Sequence, residues 1–109
     1  MKTILNQKLT VYVPSTIGME NIDNQEHVEH VATILSQLCG GATAIPVNGY
    51  YMSASGNLIK ENTVQVFAYT SFWNLRKIRK NIQELANWIK LEMSQESVAL
   101  EINGKMEFF

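Results

Sequence analysis

Thr43-Ala44-Ile45-Pro46-Val47-Asn48-Gly49-Tyr50-Tyr51-Met52, then Ser53-Ala54-Ser55-Gly56-Asn57, then Leu58 through Tyr69: the reading of this stretch decides the fold. Ile45, Val47 and Tyr51 share one parity, the two-residue period of a strand. Pro46 has no N–H for an inter-strand ladder, so this strand belongs at a sheet edge. Residues 53–57 are a turn cluster, and Leu58 to Tyr69 reads as the returning strand. Val64, Val66 and Ala68 form its core side, with Gln65, Phe67 and Tyr69 facing the other way.

Upstream of this hairpin, Leu9, Val11 and Val13 alternate with Thr10 and Tyr12, another half-buried strand, and Pro14 ends it. Ser15 to Asp23 is polar, carries Gly18 and reads as a loop. Asn24 is a candidate N-cap for a helix starting at Gln25. Val28, Val31, Ala32, Leu35, Leu38 and Cys39 recur on one stripe of that helix, and Gly40-Gly41 supplies the positive φ that stops it. Downstream, Ser71 or Asn74 caps a second helix whose stripe is Leu75, Ile78, Ile82, Leu85, Ala86, Ile89 and Met93. Val98, Leu100 and Ile102 then alternate again, and Asn103-Gly104 predicts a type I′ turn into Lys105–Phe109. The order predicts a single α+β domain over residues 1–109: a ferredoxin-like βαββαβ sandwich, its antiparallel sheet covered on one face by two helices, with a C-terminal hairpin.

The bulk properties agree. At 109 residues, 46% hydrophobic and 17% charged, the chain can bury a core and is not disordered. A net charge of −1 argues against a general nucleic-acid binder. A lone cysteine, Cys39, allows no internal disulfide and suggests a reducing, cytoplasmic setting. No signal peptide or membrane span is expected.

The usual signatures of catalysis are missing. Cys39 sits on an apolar stripe near a helix C-terminus, where the dipole disfavours a thiolate, so it reads as structural. His27 and His30, beside Glu26 and Glu29, have a helical spacing that could hold a metal. His27 borders the stripe while His30 points to solvent, and no third ligand is evident, so neither a metal nor a cofactor is expected. Gly40-Gly41-Ala42-Thr43 follows a helix and so presents no amide array to a phosphate.

Two features stand above this background. Arg76, Lys77, Arg79 and Lys80 crowd the positive end of the second helix, a local conflict that an anionic ligand would relieve. Tyr12, Phe67 and Tyr69 share the sheet face away from the helices, on strands expected to be neighbours. Trp73, Trp88 and Leu91 fall opposite the core stripe of the second helix and suggest an oligomer interface.

These residues predict a non-enzymatic, homo-oligomeric protein that binds a small, anionic, nucleotide-like ligand. Arg76, Arg79 and Lys80 hold its phosphate, and Phe67, Tyr69 or Tyr12 stacks its base. In length, element order and the run Gly40-Gly41-Ala42-Thr43 through Gly49-Tyr50 to Gly56 and Glu61, the chain resembles the Thoeris anti-defence proteins of phages. That resemblance implies oligomers that sequester a host signalling nucleotide without cleaving it, in the host cytoplasm. The alternatives are a single-strand RNA binder using the sheet aromatics, a protein-interaction or inhibitor module, and a dimeric α/β-barrel enzyme with its site between sheet and helices.

Overall fold

The computed structural model describes residues 2–109. Strand β1 (Gln7–Pro14) leads through a two-stranded ribbon, β2 (Thr16–Ile17) and β3 (Glu20–Asn21), into helix α1 (Gln25–Cys39). Strands β4 (Thr43–Met52) and β5 (Leu58–Thr70) follow, then helix α2 (Phe72–Glu92) and strands β6 (Ala99–Ile102) and β7 (Lys105–Phe108). The five long strands form one antiparallel sheet in the order β4-β5-β1-β6-β7. Pro46 is thus on an edge strand, where its missing N–H costs no ladder bond.

Register decides which side chains share a face. Leu9, Val11 and Val13 of β1 stand opposite Ala68, Val66 and Val64 of β5, and Leu9 and Val11 opposite Ile102 and Leu100 of β6. These positions and the apolar stripes of both helices form a single core, in which Leu9, Val11, Leu35, Ile82, Ile89 and Leu100 lose all contact with water. Each fully buried aliphatic side chain contributes about 1.5–3 kcal/mol. Both helices therefore cover one face of the sheet, and no helix among the described residues covers the other.

The local chemistry explains the boundaries. Gly40 adopts φ 95° and its N–H donates to Ser36 O at 2.8 Å, ending α1. Ser71 caps α2, its Oγ accepting from the Asn74 N–H at 3.2 Å. The Asn74 side chain ties the helices together, donating to Leu38 O at 2.9 Å and to Thr70 Oγ1 at 2.8 Å. Asn103 and Gly104 have φ of 52° and 84°, as a type I′ turn requires.

Three expectations are corrected. Asn24 occupies the N-cap position, but its amide donates to Pro14 O at 2.9 Å, while Asp23 Oδ1 accepts the Gln25 N–H. The segment 15–23 is not plain loop: it folds into the β2–β3 ribbon about Gly18, whose N–H donates to Met93 O at the end of α2. Trp88 does not face outward with Trp73 and Leu91. It lies half-buried against α1, stacked on the His30 ring at 4.1 Å, whereas Trp73 is 75% and Leu91 81% exposed. The wide indole fills the groove between two helices, which helical-wheel geometry alone does not reveal.

Candidate functional site

The uncovered face carries Lys8, Thr10 and Tyr12 of β1, alternate residues Glu61 to Tyr69 of β5, Ala99 and Glu101 of β6, and Met106 and Phe108 of β7. Beyond Thr63, the last β5 partner of β1, strands β4 and β5 continue as a two-stranded arm to the turn at Ser53–Asn57. In the angle between this arm and the sheet lies an open cleft of about 720 Å³. Its floor is Tyr12, Thr63, Gln65 and Ala99; Gly49, Tyr50, Tyr51 and Glu61 form the arm side; Gln95, Ser97, Met106 and Phe108 form the other.

Each wall is held in place by backbone logic. Glu61 pairs across the arm with Gly49, so no side chain crowds the carboxylate on that side. No cation lies within ion-pair distance of it among the described residues. Gln95 is fixed by its Nε2, which donates to Thr16 O, Thr16 Oγ1 and Met93 O at 2.9–3.2 Å. On the floor, Gln65 Nε2 donates to Tyr12 Oη at 3.5 Å. Burial pushes the Tyr12 hydroxyl up from the ordinary tyrosine pKa, and the charge of Glu101 adds to the effect, so Tyr12 stays a neutral donor. Among the described residues the cleft is lined by three tyrosines and one carboxylate, with no lysine, arginine or histidine.

The residues singled out in the sequence are only partly brought together. Tyr12, Phe67 and Tyr69 do share the uncovered face; Phe67 and Tyr69 meet edge-to-face at 6.1 Å, and Lys8 Nζ lies 4.5 Å from the Phe67 centroid. Of the three, only Tyr12 lines the cleft. Arg76, Arg79 and Lys80 belong to α2, which packs on the opposite face. Arg76 lies over the rings of Phe72 and Trp73, 5.9 Å from each centroid, and Arg79 pairs with Glu107 at 3.5 Å. Within one protomer the phosphate-holding and base-stacking groups are therefore on different layers. Cys39 is half-buried, its thiol pushed up by burial and partly brought back by the Thr70 hydroxyl, as a structural cysteine should be.

Glu61, Tyr50, Tyr51, Thr63, Ser97 and Phe108 were not picked out as a ligand site. The available signal was parity: Glu61, Thr63 and Gln65 continue the outward series of Phe67 and Tyr69 down the arm. What parity could not show is that the sheet ends at Pro14, leaving the arm to wall a cleft.

No family model and no curated protein matches the chain. Among solved structures it is similar to a phage SAM lyase in complex with S-methyl-5′-thioadenosine, with TM-score 0.72 and 19% identity over 100% of this chain and 95% of that one. The same lyase in its apo state gives 0.72 and 19%, over 100% and 94%. CutA from Synechococcus elongatus PCC7942 gives 0.54 and 14%, over 91% and 78%. The shared property is the fold, an α+β sandwich of two helices and an antiparallel sheet. This corrects the non-enzymatic reading: the phage protein with this architecture is a lyase, not a sequestering protein. The physical ground for that reading also falls, because a lyase need not carry the nucleophile–base or metal constellations on whose absence it rests. Among the alternatives these neighbours favour the enzyme, although the space between sheet and helices, where that reading puts the active site, is filled among the described residues by an aliphatic core.

Proposed function

We propose that the protein is a lyase acting on a sulfonium nucleoside, S-adenosylmethionine, and releasing S-methyl-5′-thioadenosine. One observation carries the proposal: the cleft has tyrosines and a single carboxylate, Glu61, and no basic side chain. Such a lining repels a phosphate and attracts a cation, through the carboxylate and through ring faces, a ring contact being worth about 0.5–2 kcal/mol. Reversing the sign of the expected ligand brings site and fold into agreement.

The chemistry also fits a site without a nucleophile. The substrate's own carboxylate can attack its Cγ and close a five-membered lactone. The Cγ–S bond breaks, its electron pair goes to sulfur, and the neutral thioether leaves. No water enters and no proton has to be removed, so the enzyme acts by holding carboxylate and Cγ in line, an advantage that intramolecular reactions use fully. Because positive and negative charge annihilate in the transition state, a cleft that excludes water favours it. Elimination across Cβ–Cγ is the competing route. It needs a base at Cβ, a role only Glu61 among the lining residues could take.

We also read the fold as ferredoxin-like, a reading that the order of β1, β4, β5 and β6 supports. We also infer a homo-oligomer. An isolated two-stranded arm is marginal in water, and this one exposes Tyr50, Tyr51, Met52 and Leu58, each half or more accessible. A second copy packed on the arm would stabilise it and close the open side of the cleft. The test is incubation with S-adenosylmethionine and chromatography of the products. Stoichiometric S-methyl-5′-thioadenosine and a lactone are expected; unchanged substrate overturns the proposal.

A further inference from the structure

Resting on that reading, we infer that the adenine seats in a slot over Ala99, between the rings of Tyr12 and Phe108. Four outward residues stand in one row across the sheet. Gln65 pairs with Tyr12, Tyr12 falls beside Ala99 one step beyond the Val11–Leu100 pair, and Ala99 pairs with Phe108. Adjacent strands lie about 4.8 Å apart, so the Tyr12 and Phe108 backbones are about 10 Å apart with only a methyl group between them. A flat ring in van der Waals contact on both sides needs about 7–8 Å. The slot is thus wide enough to admit one heteroaromatic ring and has an apolar floor.

The neighbours support this use. Gln65 Nε2 bonds the Tyr12 hydroxyl at 3.5 Å and holds that ring toward β5, away from Ala99, which keeps the slot open. Gln65 is therefore a positioning residue for Tyr12. Phe108 is 69% exposed in the chain alone, an extravagant cost for an aromatic ring with nothing to cover. Ala99, Tyr12 and Phe108 all line the same cleft as Glu61. Along β5, Glu61 is four residues from Gln65, about 13 Å.

The experiment is calorimetric titration of the full chain with S-methyl-5′-thioadenosine and, separately, with adenosine. Wild type, Phe108→Ala, Ala99→Leu and Tyr12→Phe are compared, with circular dichroism to confirm folding. Loss of a stacking ring weakens base binding about tenfold, so Phe108→Ala is expected to lose about that factor for both ligands. Ala99→Leu fills the slot and is expected to abolish measurable binding. Tyr12→Phe keeps the ring but frees it from Gln65, and is expected to weaken both ligands by less than Phe108→Ala does. If Ala99→Leu should fail to fold, Phe108→Ala, an exposed position, still decides. Wild-type affinity in both Phe108→Ala and Ala99→Leu overturns the slot, whatever the catalytic result. Slot-dependent binding of adenosine by a wild type that leaves S-adenosylmethionine intact supports the slot and overturns the lyase reading alone. A wild type that binds neither ligand overturns both.

Discussion

The two faces of the sheet are built from alternate residues of the same strands, yet they obey different rules. Toward the helices, every position of β1, β5 and β6 in the core is aliphatic and essentially dry. Away from them, the same strands present Tyr12, Gln65, Thr63, Phe67, Glu61 and Glu101, polar or aromatic groups that an isolated chain leaves half-wet. The inner face holds the fold together, and the outer face is free to carry chemistry because stability does not depend on it. Substitutions on the two faces should therefore separate cleanly.

The largest effect is expected on the inner face. Leu35→Ala or Ile82→Ala, each at a fully buried position, should cost about 2–5 kcal/mol of unfolding free energy in denaturant titrations. A loss below about 1 kcal/mol would mean that the core is looser than this packing. Next comes the seam between the helices. Asn74→Ala removes the donor to Leu38 O and Thr70 Oγ1 and should cost about 1–3 kcal/mol, with no change in product formation.

A smaller effect is expected from pH. Burial pushes both Cys39 and Tyr12 above their ordinary values. The folded state then keeps those protons longer than the unfolded state does. Stability is fully present below the unfolded values and falls as pH rises through the folded ones, that is, from about pH 9 upward. Thermal midpoints between pH 7 and 11 should stay level and then decline, and Cys39→Ala should delay the onset. The smallest effect belongs to the basic run. The Arg79–Glu107 pair is half-exposed, so Arg79→Ala should change stability by no more than about 1 kcal/mol and leave binding of S-methyl-5′-thioadenosine unaltered. A large loss of binding would return the basic residues of α2 to the site, across a subunit boundary.

The sequence made the inner face legible and the outer face only half so. Alternation in Leu9–Val13 and Val64–Ala68, the stripes of the two helices, the Gly40 stop and the Asn103-Gly104 turn all rest on local rules that tertiary contacts reinforced. The arm did not announce itself. Nothing local shows that β1 stops pairing at Pro14 while β5 runs on to Leu58, and this mismatch of strand lengths makes the cleft. The outward placement of Tyr12 is legible because parity alone defines its strand. Glu61 and Phe108 were passed over because single charged and aromatic residues near strand ends are ordinary surface. Arg76, Lys77, Arg79 and Lys80 show the opposite case: four cations close in sequence form a conspicuous pattern, but the helix that carries them lies on the other side of the sheet from the cleft.

The cleft on the outer face, lined by one carboxylate and no cation among the described residues, is proposed to turn over a sulfonium nucleoside. The direct measurement is the rate of S-methyl-5′-thioadenosine release from S-adenosylmethionine by wild type and by Glu61→Gln, a change at an exposed position that leaves folding intact. Wild-type turnover with a rise of about tenfold in KM for S-adenosylmethionine in Glu61→Gln, at an unchanged thermal midpoint, is the predicted result. Absence of release by the wild type, or an equal KM in the two proteins, contradicts the account.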